Sequence, residues 1–220
     1  QEGYRWNRKR VLRVYRLLQL NLRKKRKRRL PARIKEPLEQ PNGINHTWSM
    51  DFMSDSLIYG RRFRVLNIID DYNREALAIE SDFSLPAERV IKVLNEIIFW
   101  RGKPMKIRVD NGPEFISNVL QKWAKDNEIK LKFIQPGKPT QNAYIERFNR
   151  FFREDILDAY LFNDLSEVRH LVSEWMDDYN EFHPHKSLGG KSPLDYVKNE
   201  YNHHILNSKE SSLPEPVKGI

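Results

Sequence analysis

The order of its apolar repeats limits what this chain can fold into more than any other feature. Bulky residues recur at strand spacing over His46–Ser54, Phe63–Ile69 and Ala76–Ile79, with turn formers at Tyr59-Gly60 and at Asp70-Asp71-Tyr72-Asn73 between them. The period then becomes helical. Val90, Ile91, Leu94, Ile97 and Ile98 share one face, Ser84 and Pro86 mark its start and Gly102 its end. Strand, helix, strand and helix follow over Met105–Asp110, Ser117–Asn127, Lys130–Ile134 and Thr140–Asp155, the last with Thr140 as N-cap. Three consecutive strands form a meander, and strands joined through helices cross over to lie parallel. The order therefore predicts an α/β fold with a five-stranded mixed sheet flanked by helices. A further helix capped by Ser166 buries Val168, Leu171, Val172, Trp175, Met176 and Tyr179.

Three carboxylates fall at informative places in that order. Asp51 lies inside an otherwise hydrophobic strand, on the side of Ser49 and Met53, while Trp48, Met50 and Phe52 face the other way. A charge there is costly to bury unless something neutralises it, which favours a metal role. Asp110 ends its strand just before Asn111-Gly112-Pro113, so its carboxylate stands at a strand tip. Glu146 follows after 35 intervening residues, a spacing that proves nothing alone. At 100° per residue, Ile145, Phe148, Phe152 and Ile156 form an apolar stripe, with Asn142, Glu146, Asn149, Arg150 and Arg153 beside it. Glu146 then borders the buried face, where it can look across at a strand end. An exposed glutamate paired with Arg150 at i+4 satisfies the same period. Asp70 and Asp71 are tempting but adjacent, point opposite ways and read as turn residues, and Glu114 reads as an exposed loop acid.

At these residues the sequence resembles the catalytic core shared by bacterial insertion-sequence transposases and retroviral integrases, within the ribonuclease H-like superfamily. The resemblance is carried by Trp48-Ser-Met-Asp51-Phe, Val109-Asp110-Asn-Gly-Pro-Glu-Phe115 and Lys138-Pro-Thr-Gln-Asn-Ala-Tyr-Ile-Glu146-Arg-Phe-Asn149, and it spans about residues 44 to 198. It implies a ribonuclease H-like sheet whose first and fourth strands are neighbours, with Asp51 facing Asp110 and the Glu146 helix packed alongside. It also implies that Asp51, Asp110 and Glu146 are the catalytic, metal-binding acids. The phrase from Tyr179 to Pro193 is similar to the family's closing phrase, with His183 where arginine is common.

The net charge of +9 is unevenly placed, because residues 1 to 35 hold fifteen Lys or Arg against the single acid Glu2. That segment carries +14 and the remainder −5 (9 − 14), so the basic character belongs to the leading arm. Within it, Val11, Val14, Tyr15, Leu18 and Leu22 follow helical spacing after a possible Asn7 cap, as in the segment that precedes the core in the transposases this chain resembles. The cations Arg23, Lys24, Lys25, Arg26, Lys27, Arg28 and Arg29 then form a block that repels itself unless a polyanion orders it, although a targeting signal or solvated linker has the same composition. The expected organisation is a basic helical DNA-binding segment and linker over 1–43, a ribonuclease H-like core over 44–200 and a disordered tail over 201–220. The chain opens on Gln1 rather than Met, so a fragment or processed piece is expected. Zero cysteines exclude disulfides and thiolate metal sites and suit a reducing compartment. No apolar run reaches bilayer length. His183, His185, His203 and His204 lack the spacings of a zinc site.

Three carboxylates a few ångströms apart repel by about 4 kcal/mol per pair at 4 Å and an effective dielectric near 20, a conflict that divalent cations remove. Oxygen ligands and phosphate chemistry favour Mg²⁺ or Mn²⁺, as a pair of ions. The expected function is that of a DDE transposase, cleaving DNA and joining a 3′-OH to a target during movement of an insertion sequence. Its partners are DNA at the element ends and target and further copies of itself, without a membrane, in the cytoplasm at the nucleoid. Lys138, Arg147, Arg150 and Arg153 are candidate backbone contacts beside the basic block. Two alternatives remain open: a ribonuclease H-like nuclease that cuts without joining, and a catalytically idle DNA-binding protein on the same fold.

Overall fold

The computed structural model describes residues 6–20, 41–135 and 139–198. The cationic block Arg23–Arg29, Lys138 and the 201–220 tail lie outside the described residues. The chain divides into two compact units, Gln1–Glu36 and Pro37–Ile220. In the first, helix α1 (Arg8–Leu17) starts as expected at Asn7, whose side chain accepts a hydrogen bond from the Lys9 amide at 2.9 Å. Its apolar residues Val11, Val14, Tyr15 and Leu18 are all exposed.

The second unit runs β1 (Thr47–Ser56), β2 (Arg62–Asp70), β3 (Ala76–Asp82), α2 (Ala87–Arg101), β4 (Lys106–Val109), α3 (Asn118–Asp126), β5 (Lys130–Phe133), α4 (Ala143–Phe152) and α5 (Leu165–Phe182). The sheet has the order β3-β2-β1-β4-β5. The meander β1-β2-β3 is antiparallel, while β4 pairs parallel to both β1 and β5. This is the expected mixed sheet, with the first and fourth strands adjacent. Both faces are covered, which explains why β2 reads as an almost unbroken apolar run. On one face Trp48, Met50, Leu66, Ile68, Ile107 and Val109 pack against α2 and α3. On the other, Met53, Phe63, Val65 and Ile69 pack against the Ile145, Phe148, Phe152 stripe of α4 and against α5. Alternate residues of one strand thus feed two cores, and Asp51 is on the α4 side.

The helix starts differ from the sequence reading. Helix α2 is entered at Pro86 without a side-chain cap, and Ser84 stands too early to serve. A 3₁₀ turn over Pro139–Asn142 precedes α4, so the α-helix proper begins after Asn142 rather than at Thr140. Asp164, not Ser166, caps α5, accepting from the Ser166 and Glu167 amides at 2.7 and 3.0 Å. Past Phe152 the helix widens into a π-turn over Arg153–Leu157, and the extra residue lets both Ile156 and Leu157 be buried.

Two arginines fasten the buried polar part of the sheet. Arg108 of β4, 2% exposed, bonds Asp71 Oδ2 at 2.6 Å. Arg101, at the end of α2, reaches Glu75 at 2.7 Å and Asp70 at 3.3 Å. Asp70 also accepts from the Asn45 and Tyr72 amides. These two aspartates are structural, as the turn reading expected, although they are buried rather than solvated.

Candidate active site

The β1–β4 pairing determines where the first two candidate acids stand. Ser49 is level with Arg108, so two residues farther along these parallel strands Asp51 and Asp110 come level on the same face. Neighbouring strands lie about 4.8 Å apart, and the Asp110 carboxylate is near enough to act on the ionisation of Asp51. Each is held by backbone. Asp51 Oδ1 accepts from the Phe52 amide at 2.8 Å, and Asp110 Oδ1 accepts from the Gly112 amide at 2.9 Å. A side chain at 112 would place a Cβ 3.0 Å from that Asp110 oxygen, so the tight turn after β4 favours glycine through close approach.

Glu146, on the first turn of α4, stays exposed at the margin of the Ile145–Phe148–Phe152 stripe. Asp51 senses both other acids. Burial raises its carboxyl to about 6, and Asp110 and Glu146 push in the same direction, against hydrogen bonds from the Phe52 amide and Asn149. Burial also raises Glu146, opposed by Arg150. Among the described residues Asp51 and Asp110 have no cationic side-chain partner. Nor does any group of three or more His, Asp or Glu stand close enough together there to hold a metal ion. The donor set nevertheless fits a hard divalent cation. It is all oxygen, it is short of positive charge, and its best-buried member gains from a cation the compensation that burial removes.

The sequence reading missed a chain of amides. Asn149 donates to Asp51 Oδ2 at 2.7 Å, and Asn67 of β2 donates to Asn149 Oδ1 at 2.7 Å. Asn149 lies one turn after Glu146, so this chain ties the helix bearing Glu146 to the strand bearing Asp51. The only signal for it was the place of Asn149 in the polar stripe. Glu114 also differs from its reading, since it is half-buried and paired with Arg64, whose guanidinium lies 4.1 Å over the Phe52 ring. That pairing holds Glu114 below the usual carboxylate range and occupies it.

The remaining candidate cations separate. Arg147 and Arg150 are exposed on α4. Arg153 donates to the Ser54 carbonyl at 3.2 Å with Asp55 and Asp158 nearby, so it faces β1 as Asn149 does. His183 and His185 pack on Tyr179 as aromatic neighbours.

The match to known proteins covers all three acids. One model described as Integrase core domain matches residues 41–139, and another so described matches 127–193. The chain is 41% identical over 197 residues to the Insertion element IS407 uncharacterized 31.7 kDa protein of Burkholderia multivorans, covering 90% of this chain and 71% of that protein. It is 37% identical over 193 residues to the Insertion element IS476 uncharacterized 39.2 kDa protein of Xanthomonas euvesicatoria, covering 88% of this chain and 56% of the relative. The HTLV-2 integrase catalytic core domain in complex with magnesium, in its dimeric form, superposes with a TM-score of 0.54 at 19% identity, over 68% of this chain and 93% of that one. The catalytic core domain of BIV integrase gives 0.54 at 19%, over 73% and 99%. At those identities the likeness is one of ribonuclease H-like fold.

Proposed function

This chain belongs to the integrase core family of insertion-sequence transposases, and from that premise we propose that it cuts DNA at the ends of an insertion sequence and joins the freed 3′-OH to target DNA. In the cutting step a water oxygen bonds to phosphorus and the bond to the 3′ oxygen breaks, leaving a 3′-OH and a 5′-phosphate. In the joining step that 3′-OH oxygen attacks a target phosphorus and a target 3′ oxygen departs with the proton. Only the nucleophile changes, so one site serves both.

Asp51, Asp110 and Glu146 are the proposed ligands for Mg²⁺ or Mn²⁺. When bound, two such ions supply activation of the attacking oxygen and stabilisation of the leaving one in an in-line displacement. The chain's own part is orientation. The Phe52 and Gly112 amides hold the two aspartates, and Asn149 fixes the second oxygen of Asp51. Arg150, on the stripe of Glu146, is a proposed contact to the DNA backbone, as are Lys138 and the Arg23–Arg29 block. The single observation that carries this reading is the place of Asp51, half-buried on the α4 side of β1, bonded only by the Phe52 amide and Asn149 and within the field of Asp110 and Glu146, with no cationic side chain paired to it among the described residues. The working form is proposed to be an assembly of several copies on DNA, in the bacterial cytoplasm at the nucleoid. Among the described residues no helix is long and apolar enough to cross a membrane.

The test is a nicking and strand-transfer assay with Mg²⁺ on the wild type and on Asp51→Asn, Asp110→Asn and Glu146→Gln separately. Joined products that vanish in all three support the proposal. Cutting without joining would identify a nuclease, and binding without bond breakage an idle DNA-binding protein.

A further inference from the structure

Helix α4 has a second flank. Successive residues are 100° apart, so Tyr144, Arg147 and Phe151 share a stripe on the far side of the buried face from Glu146 and Arg150. The segment after α5 closes over that stripe. His183 lies 4.7 Å from Phe151, 5.2 Å from Tyr179 and 5.0 Å from His185, measured between ring centroids. Arg74, from the turn before β3, holds its guanidinium 3.5 Å over the Tyr144 ring, and Arg147 lies 5.4 Å from the Phe151 ring. Both arginines act on the ionisation of Tyr179 and His185, which places all of these groups in one cluster.

This cluster holds two guanidiniums that no carboxylate neutralises among the described residues. Arg64, Arg89, Arg101, Arg108, Arg153 and Arg169 each pair with a carboxylate. Among the described residues Arg74 and Arg147 pair with none. The acid whose field reaches the cluster is Asp155, felt by His183, and it already accepts from Trp175 Nε1 at 3.0 Å. Two buried nitrogens, Arg74 Nη1 and His185 Nε2, have no hydrogen-bond partner, although His185 is only 5% exposed. Buried polar atoms are normally satisfied, so two orphaned nitrogens, one of them on Arg74 itself, beside the unpaired Arg147 guanidinium point to an oxygen-rich anion that side-chain rotation would admit.

We propose that Arg74, Arg147, His183 and His185 form a second DNA-backbone site, which takes a phosphate other than the reacting one on the flank of α4 opposite Glu146. The inference rests on the reading that the chain acts on DNA and adds where a second phosphate is held. A helix with its side chains is about 10–12 Å across, a distance that one strand of a duplex covers in about three nucleotides at about 3.4 Å of rise each, so one helix would set the spacing between the held phosphate and the cut one. The arginines supply the charge. Burial first, then His183, Arg74 and Arg147, depress His185 to about 4, so it serves as a neutral hydrogen-bonding group.

The experiment titrates the full chain onto a fluorescein-labelled DNA duplex in EDTA, over a series of KCl concentrations. Arg147→Gln should reduce the slope of log affinity against log salt by about 0.9 and weaken binding on the order of fivefold at 0.1 M salt, while Arg147→Lys keeps the slope. His183→Arg should raise the slope by a similar amount. Slopes and affinities equal to wild type in both Arg147→Gln and His183→Arg would overturn the site. Strand transfer measured in parallel separates the two proposals. Joining with unchanged slopes removes this site and leaves the enzyme, whereas changed slopes without joining keep the site and remove the enzyme.

Discussion

The core contains two sets of buried or half-buried aspartates on neighbouring strands, and their surroundings differ in one respect. Asp70 and Asp71, at the end of β2, meet Arg101 and Arg108. Asp51, inside β1, and Asp110, just past the end of β4, meet amides and other acids. Burial raises both Asp51 and Asp71 to about 6. For Asp71 the Arg108 guanidinium opposes the rise, and for Asp51 two more carboxylates add to it. The first set is neutralised within the protein and fastens the sheet. The second has no cationic side-chain partner among the described residues, and that difference, not burial alone, separates the structural acids from the proposed catalytic, cation-binding ones.

The largest effect that would break this comparison is on chemistry. Asp51→Asn, Asp110→Asn and Glu146→Gln should each lower the strand-transfer rate on the order of a thousandfold or more, the several kcal/mol of charge stabilisation that bound cations provide. Asp71→Ala should leave Arg108 buried and unpaired, costing about 3–5 kcal/mol of stability in urea or thermal unfolding. If Asp71→Ala were as stable as wild type, the first set would not be structural.

A third outcome concerns Asp51 alone. Its folded carboxyl, near 6, stands above the ordinary value of 3.8. Its contribution to stability is therefore full below about pH 3.8 and lost as pH rises through about 6. Asparagine carries no such charge, so metal-free Asp51→Asn should be more stable than wild type by up to about 3 kcal/mol at pH 7.5, with the gap closing toward pH 4. Asp71 titrates in both proteins and cancels in the difference. Parallel stability curves across that range would contradict the assignment. The smallest effect sharpens the comparison: Asn149→Ala should cost about 10- to 100-fold in Mg²⁺ affinity or joining rate, as the loss of a ligand-orienting hydrogen bond does, and about 1–3 kcal/mol of stability for the buried Asn67 amide left without that partner.

Much of the scaffold was legible because period-two and helical patterns are local. The five strands, the side on which Asp51 faces and the Ile145–Phe148–Phe152 stripe all follow from them. The adjacency of β1 and β4 does not, since it joins residues far apart in the chain, and it came from resemblance. Helix starts were misread where several capping residues crowd together, as with Asp164 and Ser166, because sequence does not say which one adopts extended backbone. The π-turn at Arg153–Leu157 was not foreseen, because it leaves no periodic signal. Arginine partners were hidden for the same reason as the strand pairing: Arg108 meets Asp71, and Arg64 meets Glu114, across long loops of chain. The Asn67–Asn149–Asp51 chain likewise exists only once three elements have packed.

The central claim is that the unneutralised acids form a cation site, and the most direct measurement is anomalous diffraction from crystals of the full chain with DNA and Mn²⁺. The account predicts manganese peaks bound by Asp51 and Asp110, with a Glu146 carboxylate oxygen completing the site at about 2.0–2.3 Å. Manganese bound elsewhere, or Glu146 turned away with DNA in place, would contradict it.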